Sequence, residues 1–178
     1  MTTEILSIIL NVLKEVGGEK LGRTGLQKII YFLNEKLDLS INYSAYLYGP
    51  YSEEITDGIN LLTSFGFVDM KVEKISNDVE YVSYKYSINN EGERYLSTKK
   101  YIGSVEIKEI YENYKVYLAE NLKYLSYASK YHYLEKNFPY EGKKVTDRAD
   151  IISRYKWEIP DDATDGIISF LDSIGVKI

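Results

Sequence analysis

The chain of 178 residues has no cysteine, one histidine (His132), one tryptophan (Trp157), two methionines and three prolines. The missing cysteine excludes disulfides, thiolate metal sites and thiol nucleophiles together. One histidine leaves a single imidazole base and too few ring nitrogens for a His-based zinc site. No long Pro/Gly linker, internal repeat or low-complexity tract divides the chain. No run approaches the roughly 18 apolar residues of a membrane span. The apolar stretch 5–16 is broken by Ser7, Asn11, Lys14 and Glu15, which fits a mature helix and not a signal peptide. The expectation is a cytoplasmic protein without membrane contact.

What is present is ordinary in bulk and uneven in detail. Hydrophobic residues make up 44% and charged ones 28%, with a net charge of −5, as for a globular chain of one domain or a small domain with an extension. The surplus is tyrosine: 19 residues, nine of them within 101–140. Tyrosine brings apolar area with a polar tip, so it suits core rims, protein interfaces and base stacking alike.

Hydrophobic spacing predicts the elements. Ile5, Ile9, Val12 and Val16 share one helical face, closed by Gly17-Gly18. Leu26, Ile29, Ile30, Leu33 and Leu37 mark a second helix, for which Thr24 and Gln27 have capping-box spacing. Residues 41–48 read as extended and stop at Gly49-Pro50. Ser52 is placed to cap a third helix, with Glu53 and Glu54 in its first turn. Ile55, Ile59, Leu62 and Phe65 form that helix's apolar face, and Gly66 its left-handed stop. Alternation over 67–75, a turn at 76–78, and Val82, Tyr84, Tyr86 and Ile88 predict a hairpin. Asn90 and Glu93 have capping-box spacing for a short helix after it. The predicted fold is mostly α with a small antiparallel sheet. It comprises a winged-helix-like domain over 1–100 and a helical C-terminal extension over 101–178, packed on it.

In the extension, Ile107, Ile110, Tyr114 and Tyr117 mark one helix, and Leu122, Leu125, Ala128 and Tyr131 another. Residues 145–157 and 163–174 read as two more, the last opened by Pro160-Asp161-Asp162.

No catalytic constellation emerges. Nucleophile-elbow, Walker and dinucleotide fingerprints are absent, and no cofactor or metal is expected. His132, between Tyr131 and Tyr133, has no partnering motif and reads as a surface or half-buried residue. Asp161, Asp162 and Asp165 sit where a helix begins, so capping accounts for them without a cation. Glu53 and Glu54 are adjacent and diverge on a helix, which makes a poor acid/base pair. A carboxylate-dependent hydrolase is the residual enzyme reading.

Charge placement bears on nucleic acid. A groove-reading helix meets phosphates, so it carries Lys or Arg. The third helix instead has Glu53, Glu54 and Asp57 and no basic residue. Residues 1–100 sum to −3 and residues 101–178 to −2, so neither half is a basic module. Candidate nucleic-acid contacts are Arg23, Lys28, Lys71, Lys74 and Lys85.

Two motifs carry a resemblance. LGRTGLQKIIYFL (21–33) followed by YLYGPYSEEITDGINLL (46–62) resembles the YwgA-type prokaryotic proteins and, more distantly, the Panacea domain of SocA-like antitoxins. The matching positions are Leu26 to Phe32, then Gly49, Pro50, Tyr51 and Ser52. The resemblance covers roughly 20–70 and implies a winged-helix-like fold and, on the antitoxin side, neutralisation of toxins by protein binding. The expected function is therefore a non-enzymatic regulatory or antitoxin-like protein whose partner is another protein. Its contact residues would be Gln27, Lys28, Tyr31, Gly49, Pro50, Tyr51 and Ser52, with Lys28 and Tyr31 pointing outward. A homodimer is compatible with this reading. The runner-up is a DNA-binding transcriptional regulator.

Overall fold

A computed structural model describes residues 3–16, 21–74, 82–99, 103–139 and 145–177. Helix α1 (Thr3–Val16), strand β1 (Leu21–Gly22) and helix α2 (Arg23–Leu37) come first. A small hairpin, β2 (Ser44–Tyr46) and β3 (Gly49–Tyr51), then leads into α3 (Glu53–Ser64). A longer hairpin, β4 (Val68–Lys74) and β5 (Val82–Ile88), precedes α4 (Asn90–Ser97). The rest is helical: α5 (Ser104–Tyr117), α6 (Leu122–Asn137), α7 (Val145–Tyr155), a 3-10 turn (Asp161–Ala163) and α8 (Thr164–Ser173). The protein is mostly helical with a small antiparallel sheet, as the periodicity implies.

The main sheet has the order β1-β5-β4. Val68 pairs with Ile88, Met70 with Tyr86 and Val72 with Tyr84, so the alternating apolar residues of both strands share a face. Val68 and Tyr86 are buried there, while Met70 and Val72 are exposed on the edge strand. The predicted turn at 76–78 and the helix stop at Gly17-Gly18 lie outside the described residues.

Two features of the strands depart from the sequence reading. The third strand of the sheet is β1, placed before α2, where Leu21 pairs with Tyr86 and Gly22 with Lys85. Two residues are too short for any alternation to signal. The stretch expected to be a strand at 41–48 instead supplies one arm of a separate hairpin, in which Ala45 faces Pro50.

The capping expectations also shift. Gly22, with no side chain to offer, is the N-cap of α2, and Gln27 points elsewhere. Ser52 sits at the N-cap of α3, yet its hydroxyl makes no capping bond. Asn89, not Asn90, caps α4, accepting from the amides of Glu91 and Gly92. Phe65 ends α3 exposed instead of on its buried face, whereas Gly66 takes the left-handed conformation, φ 72°.

Helix α2 is the axis of the molecule. From Gly25 to Phe32 and Leu33 every residue is buried, as in a helix covered on all sides and not on one stripe. Leu26, Ile29, Ile30 and Leu33 are joined in one apolar cluster to α1 (Ile9, Val12), α3 (Ile59, Leu62), α5 (Ile107, Ile110) and α8 (Ile167, Phe170). Both halves of the chain thus contribute to a single core.

Close approach of backbone fixes one glycine. A Cβ on Gly92 of α4 would lie 2.3 Å from the Phe67 carbonyl oxygen and 2.8 Å from an Ile88 side-chain carbon. Main chain cannot yield as a flexible side chain can. The expected outcome of Gly92→Ala is a loss of about 1–3 kcal/mol, read as a lower urea midpoint with an unchanged slope.

Candidate functional site

The small hairpin is where the sequence motifs meet. The chain reverses at Leu47-Tyr48, neither of which has a positive φ, and Gly49, which follows the turn and pairs with Tyr46, takes the left-handed conformation, φ 107°. A side chain there would also be crowded, since a Cβ would lie 3.0 Å from both the Lys28 Nζ and the Ser129 Oγ. Conformation calls for glycine here, and the tight space beside the lysine adds to it.

Beneath Gly49-Pro50 runs the second turn of α2. The Lys28 Nζ donates to the Pro50 carbonyl at 2.6 Å. The Gln27 side chain closes a two-point amide pair with the Ser52 backbone: its Nε2 donates to the Ser52 carbonyl at 2.8 Å, and its Oε1 accepts from the Ser52 N–H at 3.0 Å. The Gln27 Nε2 also reaches the Thr56 hydroxyl at 3.1 Å. Buried backbone groups need partners, and an irregular strand end cannot find them in a sheet. Gln27 and Lys28 supply them.

The expectation that Lys28 and Tyr31 point outward is therefore corrected. Gln27 and Lys28 are each 2% exposed and Tyr31 is 1% exposed, because α2 is enclosed by the hairpin on one side and α6 on the other. Tyr31 braces the structure from within, and Gln27 and Lys28 do the same while reaching the surface only where they line a recess beside the hairpin; Lys28 is withdrawn from any exposed nucleic-acid face. Gly49, Pro50 and Ser52 are buried too. Of the seven expected contact residues, only Tyr51 is not buried; it is half-buried, with its ring 5.1 Å from that of Tyr46.

Tyr31 has a different partner. Its hydroxyl lies 2.7 Å from the Nδ1 of His132, whose Nε2 lies 3.1 Å from the Lys177 carbonyl. A carbonyl only accepts, so Nε2 carries the proton and Nδ1 accepts from the Tyr31 O–H. His132 is 1% exposed, which corrects its reading as a surface or half-buried residue. Burial holds it in the neutral form, lowering its pKa against the opposing pull of Glu35.

The C-terminal half grips the same hairpin, which the sequence motifs do not announce. Ser126 donates to the Tyr48 carbonyl at 2.6 Å, and the Trp157 indole N–H to the Tyr46 carbonyl at 2.8 Å. The readable signal was the spacing of Ser126, Ser129 and Lys130, polar residues on the buried face of α6.

Around this fixed hairpin the surface opens into two recesses. One, of about 280 Å³, lies between the start of α2 and the hairpin, lined by Arg23, Gln27, Lys28, Tyr46, Tyr48 and Tyr51 among others. The second, of about 510 Å³, continues past Arg23 and Tyr48 between β5 and α5–α6, where Lys85, Tyr84, Tyr111 and Glu120 line it. Tyr48 stands between them, 64% exposed, beside Leu47 at 52% and Tyr46 at 49%.

The basic residues do not form one patch. Arg23 is half-buried, its guanidinium 5.1 Å over the Tyr84 ring and 3.3 Å from the Tyr86 hydroxyl. Lys85 lines the larger recess with it. Lys71 lies apart, exposed on the edge strand and 3.7 Å from Glu73. The Lys74 side chain lies outside the described residues. On α3, Glu53 and Asp57 are exposed, so the free face of that helix presents acid. Among the described residues no group of three or more His, Asp or Glu is placed to hold a metal ion. Asp161 and Asp162 lie in the 3-10 turn and Asp165 in the first turn of α8. No helix of the described residues is long and apolar enough to cross a membrane.

Structure and site together define a mostly helical protein with a small sheet, whose central helix clamps an aromatic-tipped hairpin beside a cleft. No protein-family model matches the chain. It is similar to the uncharacterised protein YwgA of Bacillus subtilis (strain 168), 38% identical over 80 residues. The match takes in 44% of this chain and 46% of that relative, so it spans about half the length of each.

Two outcomes follow from the clamp. Gln27→Leu strands the buried Ser52 N–H without its acceptor and is expected to cost about 1–3 kcal/mol, measured by urea denaturation. The second is a pH effect. Burial, with the neighbouring Lys130 charge, brings the Lys28 ammonium down from 10.5 to about 7. Between pH 7 and 9 the unfolded chain therefore keeps a proton that the folded chain has shed, so stability rises with pH across that window. Melting temperatures should rise from pH 7 to 9 more steeply for the wild type than for Lys28→Met. Parallel slopes would mean that Lys28 folds without losing its proton.

Proposed function

We propose that this is a YwgA-type regulatory protein with a winged-helix core, distantly Panacea-like, that acts by binding another protein and not by catalysis. The order α1-β1-α2-α3-β4-β5 with the sheet order β1-β5-β4 supports the winged-helix reading, with the small hairpin inserted between the second and third helices. The observation that carries the binding role is the exposed Tyr46-Leu47-Tyr48 tip on a hairpin whose backbone is tied down from α2, α6 and Trp157. Large apolar side chains held rigid in solvent lose little entropy on docking, which is how interface anchors work. DNA binding through α3 is the weaker reading, because its exposed acids would face phosphates.

The test is affinity capture from the source organism with wild-type bait and with the Leu47→Ser/Tyr48→Ala double variant. A protein retained in stoichiometric amount by the wild type should be reduced roughly tenfold or more by the variant, with melting temperatures unchanged. Equal recovery by both baits overturns the role of the tip. Capture of nucleic acid alone, weakening steeply with salt, would return the DNA-binding regulator.

A further inference from the structure

Lysines rarely go below the surface without an acid to meet them. Lys28 and Lys130 are 2% and 8% exposed, and Lys130 is close enough to weigh on the charge of Lys28. Among the described residues neither has a carboxylate partner. Lys28 meets the Pro50 carbonyl, which satisfies one of its three donors, and Lys130 meets the face of Tyr127, 5.6 Å to the ring centre. Arg23, which lines the smaller recess, meets a tyrosine hydroxyl and a tyrosine ring. Among the described residues no acid lines that recess, although acids outnumber bases 27 to 22 in the chain. The larger recess does hold Glu120, but its carboxylate already accepts from the Tyr111 hydroxyl at 2.6 Å.

An acidic protein that lines one recess with Arg23 and a lysine amine, which an incoming phosphate would return to its charged form, concentrates positive potential there. The field is reinforced by the N-terminal turn of α2, where Arg23 and Thr24 border the recess and no side chain caps the helix. The walls facing the cations are aromatic: Tyr46, Tyr48 and Tyr51. Tyrosine faces stack on planar rings without regard to base identity.

We propose that the recess between α2 and the hairpin binds a nucleoside monophosphate, its phosphate held by Arg23 and Lys28 and its base laid against the hairpin tyrosines. Lys130 lies behind as a further source of positive field. A space of about 280 Å³ lies just below the range of about 300–1,000 Å³ usual for ligand sites and suits a mononucleotide better than a dinucleotide. Because Tyr48 also forms the tip of the hairpin, ligand and protein partner would compete for, or share, one side chain.

The test is calorimetric titration of the intact chain with AMP, adenosine and inorganic phosphate. AMP should bind one to one, phosphate should compete with it more weakly, and adenosine should give no heat. Arg23→Gln should weaken AMP roughly tenfold or more and Tyr48→Ala several-fold. Amide shifts of the wild type on adding AMP should concentrate in residues 22–28 and 46–51, a measurement that does not depend on the variants folding. Absence of heat with AMP, adenosine binding as well as AMP, or shifts elsewhere on the surface would each overturn the proposal. None of these outcomes touches the protein-binding role, which the capture experiment tests without added nucleotide.

Discussion

The structure depends on one buried connection: the side chains of Gln27 and Lys28 hydrogen-bonded to the backbone of Pro50 and Ser52. It joins the most enclosed helix of the molecule to a hairpin of six paired residues that could not be stable alone. Without that connection the Pro50 carbonyl and the Ser52 amide would be buried and unpaired, at the full cost of their desolvation. With it, the entry into α3 is set, since Ser52 is the residue from which that helix starts. The Leu-Gln-Lys and Gly-Pro-Tyr-Ser motifs are thus the two halves of a single contact. Their joint occurrence has a geometric reason that neither motif has alone.

The same contact explains the electrostatics of the region. Lys28 could have been replaced by an apolar residue if only filling were needed, but an apolar residue cannot satisfy the Pro50 carbonyl. An amine does so whether protonated or neutral, and burial moves it towards the neutral form. Three residues on, Tyr31 repeats the arrangement with an O–H, passing its bond through His132 to the carbonyl of Lys177. Successive turns of α2 therefore tie down the hairpin and the C-terminal segment. Both ties are made by polar side chains that face a core otherwise built from Leu, Ile and Phe.

Much of this was legible and some was not, for identifiable reasons. The helices announced themselves through apolar spacing, and the long hairpin through strict alternation, because both patterns follow from burial of one face. α2 misled for the opposite reason. It is buried on every side, so Gln27, Lys28 and Tyr31 lie off the apolar stripe and mimic a solvent face. The partners of Gln27 and Lys28 are backbone groups 22 to 25 residues away, and backbone carries no sequence signal; the partner of Tyr31 is a ring nitrogen 101 residues away. Strand β1 was invisible because two residues have no period. The grip of Ser126 and Trp157 on the hairpin was hidden because contacts across 78 and 111 residues leave no local trace.

The distribution of tyrosine now separates into two physical roles. Tyr31, Tyr86, Tyr111 and Tyr114 are buried; Tyr31 and Tyr111 spend their hydroxyls on His132 and Glu120. They belong to the core in the ordinary sense. Tyr46 and Tyr48 are different: their carbonyls are fixed by Trp157 and Ser126 while their rings stand in solvent. Anchoring the main chain of an exposed aromatic residue restricts the ring without covering it. A hairpin needed only for connection between α2 and α3 would do as well with polar residues at its turn, and would be more soluble for it. That an apolar tip is kept, and its backbone is held from three directions, argues that the rings are presented to something. The restraint on the backbone and the exposure of the side chains are two parts of one arrangement, and the buried lysine beneath them is what the arrangement rests on.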